Sequence, residues 1–132
     1  MTGVRAERWW PLARAMTEDQ LLDSTIDLAR VLGWLAHHCR PARTDKGWRT
    51  PVQGDPGFPD LIFVRDGWLI AAELKSQTGR VAAGQSLWVD RLDEVSLRAG
   101  RPSGGLLVVV WRPVDWYAGA IRQVLDHPAA GL

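Results

Sequence analysis

Apolar positions along the chain repeat with two periods, and the switches between them mark the elements. From Thr17 the period is helical: Leu22, Ile26, Ala29 and Gly33 fall on one face while Asp19, Asp23, Asp27 and Arg30 fall on another. Thr17-Glu18-Asp19-Gln20 reads as a capping box that starts this helix, and Gly33 supplies its stop. Glu18 lies one turn before Leu22 and so points along the inner face. Trp34 to Cys39 is expected to form a short strand. From Arg40 to Phe58 no period is visible, and the Arg, Pro and Gly content predicts a loop. Two apolar runs follow, Asp60 to Arg65 and Trp68 to Lys75, separated by Asp66-Gly67, the strongest short signal for a hairpin. A second helix is expected over Gln85 to Ala99, with Trp88, Leu92, Val95 and Ala99 as its apolar stripe and Gly100 as its end. Leu106 to Trp111 suits a strand buried on both faces, closed by Pro113. A last helix from Asp115 to Leu125 would turn Trp116, Ala120, Ile121 and Val124 to the core. Residues 1–16 read as an arm or short irregular helix, 17–126 as one domain and 127–132 as a tail. This order predicts an α/β fold with a mixed central β-sheet flanked by helices.

Composition narrows the classes. The 132 residues allow one domain, and 46% hydrophobic with 23% charged residues is ordinary for a globular chain. Sixteen Lys and Arg against fifteen Asp and Glu give +1, so contact with nucleic acid would depend on where the cations sit. A single cysteine, Cys39, excludes an intrachain disulfide and a Cys-rich zinc site. No apolar run approaches the length of a membrane span, and the N-terminus lacks the apolar stretch of a signal peptide; a soluble cytoplasmic protein is expected. Of the eight tryptophans, Trp34, Trp68, Trp88, Trp111 and Trp116 fall inside apolar patterns and read as core, and Trp9-Trp10 is read the same way ahead of base stacking.

The hairpin carries the chemistry. If Asp66-Gly67 is a two-residue turn, Arg65 pairs with Trp68 and Asp60 lies opposite Glu73, with the two side chains on one face. Lys75 shares that face by the period of two. Two carboxylates opposed at the end of a largely apolar ladder repel each other and need a cation. Lys75 supplies one charge; a divalent ion such as Mg²⁺ answers both oxygen ligands and keeps positions for water and phosphate. Gln85, three residues before Trp88 and seven before Leu92, would face the sheet, either serving this site or capping its own helix. An ordinary Glu-Lys pair at a strand end is the plainer account of these charges. His37, His38 and Cys39 alternate faces and have no matching ligand pair, so structural roles are expected for them, with His38 the nearest to the site.

Gly57-Phe58-Pro59-Asp60, then Glu73-Leu74-Lys75, then Gln85 resembles the PD-(D/E)XK nuclease superfamily and, within it, the VRR-NUC domain family of phage and bacterial genomes. The flanks are similar too: Glu18 in the first helix, Gly33-Trp34 with His38 after it, and Trp111-Arg112-Pro113 with Asp115-Trp116. The likeness spans about residues 17–116. It implies a restriction-endonuclease-like fold and Mg²⁺- or Mn²⁺-dependent hydrolysis of DNA phosphodiesters, with branched DNA such as Holliday junctions as a frequent substrate, in DNA repair or phage DNA processing inside a bacterial cell or phage-infected host. By position, Asp60 and Glu73 would bind metal together with the Leu74 carbonyl. Lys75 would serve the attacking water, Gln85 would position that water or the phosphate, and Glu18 would complete the site. The loop from Arg40 to Gly57 is longer and more basic than a minimal member needs, and residues 1–16 have no counterpart.

Between Arg40 and Arg49 four cations (Arg40, Arg43, Lys46 and Arg49) face one anion, Asp45. With Arg80 they are candidates for DNA phosphate contacts, because the loop runs into the Gly57 to Asp60 segment. A homodimer would suit cutting of two symmetric strands. The alternatives are a catalytically silent, metal-linked DNA-binding module and a nuclease acting on RNA.

Overall fold

The computed structural model of the chain describes residues 7–40, 42–98 and 105–131. Helices α1 (Trp10–Ala15) and α2 (Glu18–Val31) precede strand β1 (Leu35–His38). A small hairpin follows, β2 (Ala42–Thr44) and β3 (Gly47–Arg49), then the longer pair β4 (Leu61–Arg65) and β5 (Trp68–Leu74). Helix α3 (Ala83–Arg98), strand β6 (Gly105–Trp111), helices α4 (Pro113–Tyr117) and α5 (Ala120–Asp126) and a 3-10 turn (Pro128–Gly131) complete the order. β1, β4, β5 and β6 lie side by side in that order in one mixed sheet, antiparallel except for the parallel pair β5 and β6. A parallel pair needs a long crossover, and α3 supplies it. The fold is therefore α/β, a mixed four-stranded sheet flanked by helices, as the pattern predicts.

Local chemistry explains the two elements that matter most. Thr17 Oγ1 accepts the Gln20 N–H at 3.1 Å while Gln20 Oε1 accepts the Thr17 N–H at 2.9 Å, so the capping box that starts α2 is complete. Asp66 and Gly67 both take positive φ (49° and 81°), the signature of the type I′ turn whose twist matches its strands. The turn fixes the register: Arg65 opposes Trp68 and Leu61 opposes Ala72. One face of the sheet holds Leu61, Phe63, Ile70 and Leu74 against Leu21 of α2 and Ile121 and Leu125 of α5, all buried. Each such side chain contributes roughly 1.5–3 kcal/mol on burial, which makes this ladder a firm base for whatever it carries. Arg65 ties the far end down, donating to the Leu32 carbonyl at 2.9 Å and the Asp126 carbonyl at 3.1 Å with its guanidinium 4.5 Å from the Trp34 ring centre.

The structure corrects several expectations. The segment read as loop contains β2 and β3, joined at Asp45-Lys46 and held by Thr44 Oγ1, which donates to the Gly47 carbonyl at 2.8 Å. Three-residue strands are too short to show alternation. Helix α3 begins at Ala83, two residues earlier than expected, and is rotated by about one position: Ser96 is buried and donates to the Leu106 carbonyl, whereas Val95 is 56% exposed. Ala99 and Gly100 lie outside the described residues. A similar rotation in α2 buries Leu21, Thr25 and Ala29 and leaves Leu22 and Ile26 half-buried. β6 is an edge strand, mostly half-buried rather than enclosed on both faces. The last helix is two: α4 opens on Pro113, and Gly119 (φ 82°) breaks the chain before α5. Within the described parts of the segments read as arm and tail, Ala13 and Pro128 are buried and Trp9 stacks on Tyr117 at 6.2 Å. Among the described residues no helix is long and apolar enough to cross a membrane.

Candidate active site

The site forms where the β4–β5 ladder stops, and it stops for a chemical reason. In an antiparallel pair the hydrogen-bonded positions alternate. Counting from Arg65 and Trp68, the next one beyond Leu61 and Ala72 would oppose Pro59 to Leu74. Proline has no N–H to give. Asp60 takes the place of the Pro59 carbonyl on the other half of this position: its Oδ2 accepts the Leu74 N–H at 2.8 Å. Pro59 thus leaves the Leu74 carbonyl without a ladder donor while Asp60 is pinned beside it. On the other side of β5 the Lys75 N–H bonds the Trp111 carbonyl at 3.0 Å, so this strand end is fixed from both sides.

Asp60 and Glu73 oppose each other by this register, at a position where the strands approach most closely. Glu73 is 1% exposed. Gln85 Nε2 donates to its Oε1 at 2.6 Å, and Lys75 Nζ stands 3.7 Å from the same oxygen. Its other oxygen, Oε2, is buried with no hydrogen-bond partner. Burial, then the Asp60 charge, pushes the Glu73 carboxyl up to about 7, with Lys75 only partly opposing. Burial likewise raises Glu18, with Asp60 adding to the effect and Lys75 opposing it. The structure therefore brings Asp60, Glu73, Lys75 and Gln85 together where β4 and β5 end beside the start of α3, and Glu18, the first residue of α2, lies near enough to feel the Asp60 and Lys75 charges. Gln85 does both of the jobs foreseen for it: its Oε1 accepts the Ala82 N–H at 2.9 Å at the start of α3 while its Nε2 holds Glu73.

Other placements refine the sequence reading. By the β1–β4 register His37 opposes Ile62, so His37 and Cys39 lie on the face carrying Asp60, and His38 lies on the opposite face. His37 Nε2 is 3.3 Å from Cys39 Sγ, and both line a cleft of about 320 Å³ with Asp60 and Gln85. The residue near the site is thus His37 rather than His38. Arg43, Lys46 and Arg49 are exposed on the β2–β3 hairpin, Arg40 lines a cleft with Trp48, and Arg80 is exposed between β5 and α3.

Two residues that the motif and its flanks contain, without a role, position the site. Gly57 (φ 102°) sits against the start of α3, where an added Cβ would fall 2.6 Å from the Gln85 nitrogen and 2.7 Å from the Gly84 carbonyl oxygen. Only a residue without a side chain lets the Asp60 loop and the Gln85 helix touch backbone to backbone. Arg112 Nη1 donates to the Ser76 and Gly79 carbonyls at 2.8 and 2.6 Å, fixing the segment after Lys75. Asp115 accepts the Arg112 N–H at 2.8 Å, and burial raises its carboxyl.

The donor set suits a hard divalent cation. It offers the Asp60 and Glu73 carboxylates and the Leu74 carbonyl, all oxygen, with the buried Glu73 Oε2 lacking any other partner. No cluster of three His, Cys, Asp or Glu side chains is arranged to hold a metal among the described residues. The remaining positions would then fall to water and phosphate, the habit of Mg²⁺ rather than of Zn²⁺. No protein-family model matches the chain, and no curated protein matches it.

Proposed function

We propose that this protein is a divalent-metal-dependent DNA endonuclease of the PD-(D/E)XK type, similar to the VRR-NUC family, that hydrolyses phosphodiester bonds with water as nucleophile. The observation that carries the reading is the pairing of Asp60 with a buried Glu73 whose Oε2 has no partner, flanked by Lys75 and Gln85. Two carboxylates forced together at the end of an apolar ladder have a purpose if a cation is meant to come between them.

In this reading Asp60, Glu73 and the Leu74 carbonyl hold Mg²⁺ or Mn²⁺. The bound ion would supply charge stabilisation to a phosphoryl group and acidify a water. Lys75, beside Glu73, orients that water. Gln85 keeps the Glu73 carboxylate in its rotamer, and Glu18 adds a carboxylate at the rim. The exposed cations on β2–β3 and Arg80 meet phosphates of the substrate. Branched DNA, such as a Holliday junction, is the form to test first, with a homodimer providing two sites and the bacterial or phage-infected cytoplasm as the setting.

The test is cleavage of a four-way junction, linear duplex, single strand and RNA in Mg²⁺, Mn²⁺ or EDTA by the wild type, Glu73→Gln and Lys75→Ala. Metal-dependent cutting of DNA by the wild type alone supports the reading. Binding without cutting of any substrate makes the chain a binding module, and cutting confined to RNA moves it to that substrate.

A further inference from the structure

The largest of the clefts described lies away from Glu73, on the other face of the sheet edge, and has a volume of about 530 Å³. That is within the roughly 300–1,000 Å³ range of small-molecule sites. Its wall is Trp48 of β3, an indole left 65% exposed. Its floor is the half-buried pair Leu22 and Ile26 of α2, and Asp19, Asp23 and Arg40 stand at its margin.

The mixture of groups decides what fits. Asp19 and Asp23, one turn apart on α2, repel a phosphate backbone, so the cleft is not a groove for duplex. A carboxylate does accept hydrogen bonds from the amino edge of a nucleobase. An exposed indole over an apolar floor offers two surfaces between which a flat ring can lie. The phosphates belonging to such a base would meet cations instead: Arg40 at the margin, and Arg43, which the register sets directly opposite Trp48 on the same face. Although it lies on the other face, the cleft is one residue from the candidate site at two points: Asp19 follows Glu18 in the chain, and His38, which also lines the cleft, opposes Leu61, the neighbour of Asp60.

We infer that this cleft receives one unpaired nucleobase, stacked on Trp48 with its amino edge toward Asp19 and Asp23, close to the phosphate to be cut. The inference rests on the nuclease reading for its position in the substrate and assigns the substrate class: DNA with an extrahelical or unpaired base at the cleavage point, rather than continuous duplex. An amino-bearing base such as cytosine is preferred over thymine.

The experiment measures binding of the full-length protein in EDTA by fluorescence anisotropy. One probe is a short duplex carrying a single extrahelical 2-aminopurine and the other is the same duplex fully paired. The bulged probe should bind about tenfold more tightly, with quenching of 2-aminopurine as it stacks. Trp48→Ala should remove that margin and the quenching while leaving the paired duplex within about twofold, and Trp48→Phe should keep most of both. Replacing Asp19 and Asp23 together by Ala should erase a few-fold preference for an extrahelical cytosine over a thymine. Equal binding of bulged and paired probes by the wild type overturns the inference, and so does an equal loss on both probes in Trp48→Ala. Cleavage of the same probes in Mg²⁺ is scored separately. A bulge preference without cutting overturns the nuclease reading and keeps the base cleft, whereas cutting without the preference does the reverse.

Discussion

β4–β5 and β2–β3 are both antiparallel hairpins closed by two residues, Asp66-Gly67 and Asp45-Lys46, yet they are built from opposite materials. The first is apolar, and β5 is buried along nearly all its length; the second has three-residue strands whose described side chains are exposed, Arg43 and Arg49 among them. The first carries two carboxylates where like charges are costly, and holds them with a proline, a glutamine and a lysine. The second carries Arg43, Lys46 and Arg49 beside an exposed Trp48 in water, where cations cost little. The contrast separates two requirements. Atoms that must meet within fractions of an ångström sit on the part of the fold that cannot move independently. The cations for which we propose contact with a large, variable polyanion sit on the part whose side chains are exposed and stand apart from the core.

Four measurements can break or sharpen this division, beginning with the largest effect. Glu73→Gln or Lys75→Ala should lower single-turnover DNA cleavage on the order of a thousandfold or more, with junction binding in EDTA nearly unchanged. The same carboxylate should cost stability. Because Glu73 is raised from 4.5 to about 7, the folded state keeps a proton that the unfolded state has lost. Stability of the metal-free protein is therefore fullest below pH 4.5 as far as this group is concerned, and is lost as pH rises through 7. The loss by pH 8.5 is about 3 kcal/mol in urea melts, absent in Glu73→Gln and reduced by Mg²⁺. Gly57→Ala, at φ 102° and against the α3 backbone, should destabilise by about 2 kcal/mol and also weaken Mg²⁺ binding, read by calorimetry. Arg43→Glu with Arg49→Glu should leave the melting temperature within a degree or two, weaken DNA binding about tenfold in low salt and flatten its salt dependence. A fall in stability for that last pair would show that the small hairpin is structural after all.

The main hairpin was legible because a turn signal, two apolar runs and a period of two all agree, and from that register the meeting of Asp60 and Glu73 follows by counting. The capping box of α2 was legible for the same reason, as four consecutive residues specify both its bonds. What stayed hidden depends on distance rather than pattern. Nothing in the sequence around Ser96 says that its hydroxyl reaches Leu106, so the buried face of α3 is read one residue away from where it lies. The break at Gly119 hides in an apolar period that continues across it. Gly57 is visible as a letter in the motif, but its work, making room for the Gln85 backbone, exists only once two segments 28 positions apart have come together. The family resemblance rests on the motif alone, and the nuclease chemistry is a proposal drawn from the motif together with this geometry.

The contact between Gly57 and Gly84 has one more consequence. With no side chain to cushion it, the junction makes the strap ahead of Asp60 and the first turn of α3 a single rigid lever, its short arm ending at Asp60 and its long arm running the length of the helix. A push on the outer surface of α3 from a neighbouring molecule would be felt at Asp60 without any intervening side chain needing to rearrange.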